Sequence, residues 1–242
     1  MFQGYPWLVF KVGILEKVLS DKDYFNIDDD FEHEDKLIKE MVKLEIVVTT
    51  VHFAEIFAAN LLALSRYEKT YHKKLLEYNT GEIKDFYEGI NAKSNSYIVK
   101  LMCYPDLNQI YDGVMLNDVV ESCKLVKSFL IEIGKYYLDN LQIYNSYKHG
   151  FRIGIAEGSN EDGTNPRMQL IYPTSKDNLA EVTIKLGLDI NKESSYCYRM
   201  YDILSNVVNT FSQRFLDEKS EFSMRVWHLK ESFNEGLKKP LS

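Results

Sequence analysis

Apolar residues recur every three or four positions along most of this chain, and one stretch near the middle of its second half breaks that rhythm. Spacing of three and four gathers side chains on one face of a helix, whereas strict alternation marks a strand. The longest helical pattern opens at Asn117 and Asp118 and runs to His149. Its common face carries Val119, Cys123, Val126, Leu130, Ile133, Tyr137 and Leu141. A second long helix is predicted over 34–66, which holds neither glycine nor proline. Shorter helical patterns cover 5–19, 70–78, a segment capped by Thr80 and ending near Gly89, and 94–104, stopped by Pro105. Asn191 is placed to cap a last long helix reaching about Glu218, with a further helix over 223–234.

After Gly150 the period changes. Residues 151–156 alternate, 167–172 are β-compatible, and 158–166 between them are almost all turn formers. This predicts a β-hairpin, with a third strand over 181–188. The resulting expectation is a mainly α protein: an elongated helical bundle forming a single domain over 1–242, with a β-hairpin insertion at about 151–188 before the last long helix.

Composition narrows the classes. A net charge of −7 gives no global attraction to nucleic acid or anionic lipid, so either partner would need a local basic patch. Cys103, Cys123 and Cys197 are scattered and form no C-x-x-C pair, which points to reduced thiols in a cytoplasmic protein. The first eleven residues lack the basic region and cleavage pattern of a secretory signal. Residues 46–64 approach a membrane span in length, but Thr49, Thr50, His52, Glu55 and Asn60 would be costly in lipid, so a central bundle helix and no membrane are expected. The acidic run over 21–35 lacks the acid, glycine and glutamate spacing of an EF-hand and reads as a solvated loop. No phosphate-cradling glycine loop, nucleophile elbow or H-E-x-x-H is present, and no cofactor or metal is expected.

Candidate chemistry gathers where helix gives way to strand. Asn145 and His149 are one turn apart, about 40° from each other around a helix, and can offer an acceptor, a donor and a titratable nitrogen to one small group. Tyr144 flanks them, while Lys148 and Arg152 can neutralise a phosphate or carboxylate. A plainer account has Lys148 and His149 complementing the last helical carbonyls, with Gly150 as the residue after the cap. His52 and Glu55 form a second polar pair on the apolar helix, in a broad stripe with Glu45, Thr49 and Asn60. They suit a ligand site, a buried hydrogen-bonded pair or a seam between subunits. A ferritin-like metal site is not predicted, since the chain has no Glu-x-x-His. The tyrosines of 196–201 beside Arg199 fit base stacking or, at helical spacing, the core.

Asn145-x-x-x-His149 at the end of a long bundle helix resembles the motif of HEPN-type helical proteins. Active members are metal-independent ribonucleases, often dimeric, in which the His and a motif Arg act on the scissile phosphate. The resemblance covers about six residues and the helical architecture. It places Asn145 at the family's polar position and His149 at its histidine, with Tyr144 where the family has Arg. It implies a protein that binds a ligand, RNA or a protein partner at the 145–150 junction, with endoribonuclease activity if Lys148 or Arg152 supplies the missing charge. The alternative is a non-catalytic interaction protein that forms a homodimer or hetero-oligomer through its long helices.

Overall fold

The computed structural model describes residues 4–21, 32–66, 70–108, 113–148, 190–217 and 223–227, together with the backbone of three strands. Side chains at 4, 32–37, 114 and 190 and along the strands fall outside that description. The described chain is mainly helical: α1 (Gly4–Ser20), α2 (Glu32–Leu64), α3 (Tyr71–Glu77), α4 (Thr80–Gly89), α5 (Asn95–Leu101), α6 (Gly113–Lys148) and α7 (Ile190–Phe211). A 3-10 turn over Ile90–Ala92 follows α4, and a π-helical turn over Ser212–Leu216 follows α7. Between α6 and α7 the backbone is paired antiparallel in the order β1 (Ile153–Glu157), β2 (Pro166–Pro173), β3 (Leu179–Ile184).

Local chemistry explains the helix ends, and corrects several of the expected ones. Asn79, not Thr80, caps α4: its extended backbone lets the side-chain oxygen accept the Glu82 N–H at 2.9 Å, satisfying a donor that the first turn cannot. Replacing Asn79 by Ala is expected to lower stability by about 1 kcal/mol, while Asn79→Asp holds it, read as urea midpoints. Ser94 caps α5, its hydroxyl oxygen accepting the Tyr97 N–H at 3.3 Å. That helix stops at Leu101 rather than running to Tyr104. Cys103 takes a left-handed φ of 57°, and the Cys103 and Tyr104 N–H groups bond back to Lys100 and Val99 carbonyls, both at 3.1 Å. This is a Schellman closure with cysteine where glycine is usual. Helix α6 begins four residues before Asn117, and Asn191 lies inside α7 rather than capping it. Residues 223–227 are not helical, so the helix expected over 223–234 does not begin there; the rest of that stretch lies outside the described residues.

The chain forms two compact units, residues 1–52 with 139–197, and residues 53–138 with 198–242. Helices α2, α6 and α7 each contribute to both. In the first unit, Leu8, Val9 and Val12 of α1 are buried, as are Ile46, Val47 and Val51 of α2 and Tyr144 of α6. Thr50 Oγ1 bonds its own helix at the Ile46 carbonyl, 2.9 Å away, and lies 3.4 Å from Cys197 Sγ.

The second unit is rich in aromatic contacts. Phe57 meets Phe129 edge-on at 6.4 Å between centroids, Tyr71 meets Phe211 at 5.2 Å, and Tyr87 meets Tyr137 at 5.2 Å. Such pairs add about 0.5–1.5 kcal/mol beyond area burial. Tyr87 satisfies its hydroxyl by donating to the Ala54 carbonyl at 2.7 Å. The 223–227 segment is pinned by backbone groups: Arg225 N–H to Asn206 Oδ1 at 3.0 Å and Trp227 N–H to Ser122 Oγ at 3.2 Å. Among the described residues α2 alone is long and apolar enough to cross a membrane, and 83% of that window is buried inside the protein.

Candidate ligand cleft at the end of helix α6

Two helices of the first unit each turn a short row of mostly polar residues toward one space, and a third helps to close it. On α2, Glu45, Thr49 and His52 stand at i, i+4 and i+7, which keeps them on one face of an otherwise apolar helix. On α6, Tyr144, Tyr147 and Lys148 stand at i, i+3 and i+4 in its last turn. Leu8 and Lys11 of α1 complete the walls. The cleft they enclose measures about 250 Å³, below the 300–1,000 Å³ usual for drug-sized ligands, so it suits a small group or the end of a larger one.

Its electrostatics turn on Glu45, the one carboxylate among the described lining residues. One oxygen pairs with the Lys11 ammonium, and the other accepts the Tyr147 O–H at 2.6 Å. That hydrogen bond, then burial, then the charge of Glu45 push the Tyr147 hydroxyl up to about 12. Lys148 Nζ lies 4.2 Å from the centroid of the Tyr144 ring, a cation–π contact with the ammonium kept near the mouth. The His52 and Tyr144 rings are 5.9 Å apart and tilted by 30°. Thr49 is 2% exposed, and its hydroxyl finds no hydrogen-bond partner among the described residues. A buried hydroxyl left in that state costs about 1–3 kcal/mol.

Chemically, the described lining residues set two ammonium groups, one of them paired with Glu45, an imidazole and three hydroxyls against one carboxylate. Such a set accepts an anion with oxygen acceptors. A second cleft of similar size, about 240 Å³ in the other unit, sets Arg66 and Lys74 against Glu77 and Glu82, and these pair among themselves. Among the described residues no three His, Cys, Asp or Glu side chains are grouped to hold a metal ion.

Of the residues singled out from sequence, the structure brings Tyr144, Lys148 and His52 together. Asn145 is half-buried and does not line the cleft. Glu55 is 2% exposed and belongs to the second unit, where its charge helps raise the hydroxyls of Tyr78, Tyr87 and Tyr137. It does not line the cleft that holds His52. His149 and Arg152 lie outside the described residues. Arg199 lies 5.7 Å from the Phe129 ring centroid and pairs with Glu132 at 3.8 Å; Tyr196 is buried, whereas Tyr201 is 37% exposed. Lys11 and Tyr147 are the lining residues that sequence reasoning passes over. Tyr147 follows Tyr144 at helical spacing, whereas nothing near Lys11 marks it.

No protein-family model, curated protein or solved structure matches the chain.

Proposed function

We propose that this is a HEPN-like helical protein that engages RNA through a backbone phosphate held in the α1–α2–α6 cleft, with a β-hairpin insertion over about 151–188 following the site. The observation that carries the reading is the meeting of Lys11, Lys148, His52 and the Thr49 hydroxyl, which has no partner among the described residues, around one small space at the end of α6, the helix that bears Asn145. Cytoplasmic placement is part of the same proposal and rests on three free thiols. The test is anisotropy titration of short single-stranded RNA at several salt concentrations. Lys11→Ala and Lys148→Ala are each expected to weaken binding about tenfold or more, as loss of a charged hydrogen bond does. Each should also reduce the salt slope by about 0.7. Wild-type affinity and slope in both variants would remove the cleft from the reading. Catalysis is the stronger form of the proposal: a metal-independent endoribonuclease in which His149 exchanges protons at the phosphate. Cleavage in EDTA that disappears in His149→Ala supports it, and cleavage unchanged by that substitution removes His149.

A second reading, of a non-catalytic partner-binding protein, is favoured by α1. Trp7, Phe10 and Ile14 are 59%, 50% and 41% exposed, and the first two rings lie 5.6 Å apart. At i, i+3 and i+7 they share one face of the helix. A second copy of the chain is the simplest occupant. Concentration-dependent mass in light scattering that Trp7→Glu abolishes would support it, and a monomer at high concentration would exclude self-association. In the α2 stripe Thr49 and Glu55 are each 2% exposed and His52 is half-buried, so α1 offers the larger apolar face.

A further inference from the structure

Helix α7 has two faces of opposite character. Met200, Ile203, Leu204, Val207 and Phe211 are buried on one side. Asp202, Asn206 and Asn209, at i, i+4 and i+7, form a polar row on the other, which Gln213 extends from the π-helical turn. That row grips residues 223–227, which run past it without joining any helix or sheet. Alternate N–H groups of the segment each find a side-chain oxygen. Ser223 N–H bonds Gln213 Oε1 at 2.9 Å, Arg225 N–H bonds Asn206 Oδ1 at 3.0 Å, and Trp227 N–H bonds Ser122 Oγ of α6 at 3.2 Å. The Asn206 carboxamide also donates to the Arg225 carbonyl at 3.3 Å, so one side chain holds both main-chain groups of that residue, as a neighbouring strand would.

Clamps on the main chain are indifferent to sequence, and the choice of side chains falls to Asp202. One of its carboxylate oxygens pairs with the Arg225 guanidinium, and the other accepts the Trp227 indole N–H at 3.3 Å. Trp227 is 2% exposed, whereas Ser223 and Arg225 are exposed and Met224 and Val226 are half-buried. We propose that this face of α6 and α7 is a recognition site for an extended peptide presenting Arg and Trp two residues apart, which a partner protein inserts by displacing the chain's own 223–227. The resident segment is held by one buried aromatic anchor and a row of hydrogen bonds, so its release belongs to the low end of local opening free energies. Among the described residues a cleft of about 470 Å³ remains beside Met224, between Ser205 and Asn209, and gives the residue before the arginine room to be larger than the resident methionine. The site lies in the second unit and does not depend on the phosphate reading of the first.

The probe is a fluorescein-labelled peptide with the sequence of residues 221–229, followed by anisotropy as the full chain is titrated in. In the double variant Arg225→Ala/Trp227→Ala the resident loses both anchors, while every side chain of the groove is kept. This variant is expected to bind the peptide at least about tenfold more tightly than wild type, in which the tethered segment competes at an effective concentration of about millimolar. Adding Asn206→Ala or Asp202→Asn to it should weaken the peptide about tenfold or more, as should replacing the peptide's own arginine and tryptophan by alanine. Circular dichroism and urea midpoints establish that each variant is folded. No binding to the folded double variant at about 1 mM peptide would overturn the proposal, as would binding indifferent to Asn206 and Asp202. Wild type decides the matter if the double variant does not fold. Hydrogen exchange at the 223, 225 and 227 amides is expected to quicken at least about threefold in millimolar peptide, because displacement frees those N–H groups from their clamps. Unchanged exchange there would show that 223–227 is a fixed part of the fold and not an exchangeable occupant.

Discussion

Raising the pH above 9 in reducing buffer is expected to erode stability steeply, at up to about 4 kcal/mol per pH unit if three thiols titrate independently. The cause is burial of all three cysteines. Cys103, Cys123 and Cys197 are each 0% exposed, and desolvation is the leading reason that each thiol is pushed from its ordinary value of 9.0 up to about 12. Arg214 partly opposes this at Cys103, and the Thr50 hydroxyl partly opposes it at Cys197. In the unfolded chain the thiols lose their protons near 9, while the folded protein keeps them until about 12. Between those values the native state binds more protons than the unfolded state, so stability falls as pH rises. Below 9 the contribution is fully present. The burial that makes these cysteines unreactive at neutral pH thus makes the fold alkali-sensitive.

Urea midpoints at pH 8, 9, 10 and 11 measure the slope, and single cysteine-to-alanine variants apportion it. Each variant should lose about 1.4 kcal/mol per pH unit of the decline, roughly a third of the whole. Tyrosines add to the fall only above 10: Tyr87 and Tyr137 are raised by burial, and Tyr147 by its bond to Glu45. A flat profile from pH 8 to 10, or variants whose slopes equal that of wild type, would show that the thiols are not what titrates.

The same burial shows why some of the fold could be read from sequence. Val119, Cys123, Val126, Leu130, Ile133 and Tyr137, chosen for spacing alone, are all buried on α6, because a single apolar face is a local property of a helix. Leu141, last in that row, is only half-buried. Helix ends were less legible. The left-handed Cys103 ends α5 through two backbone bonds that no residue preference announces, since cysteine is not a usual choice there. At the cleft, the α2 stripe and the last turn of α6 were visible as periodic polar positions. That they face each other, and that Lys11 joins them, depends on packing between segments more than thirty residues apart. His52 and Glu55 illustrate the limit of pairing by spacing. Their one-turn neighbourhood predicts a shared site, yet Glu55 answers to tyrosines brought in from α4, α6 and the residue after α3.

Those tyrosines also define the most demanding packing contact in the second unit. A Cβ added at Gly134 of α6 would lie 2.7 Å from Tyr87 Cδ1 and 3.2 Å from both Cβ and Cγ of the same side chain. The ring cannot swing away cheaply, because the obstructing atoms include its root, its hydroxyl is bonded to Ala54, and its face lies against Tyr137. Gly134→Ala is therefore expected to destabilise by about 1–3 kcal/mol, although alanine within a helix is intrinsically better than glycine by about 1 kcal/mol. Tyr87→Ala alone should cost about 3–5 kcal/mol, as loss of a buried aromatic does. Made in the Tyr87→Ala background, however, Gly134→Ala should stabilise by about 1 kcal/mol, since the clash is gone and only the helix preference remains. Urea unfolding of the four proteins measures this reversal of sign. If Gly134→Ala has the same effect in both backgrounds, Tyr87 is not what reserves that position for glycine.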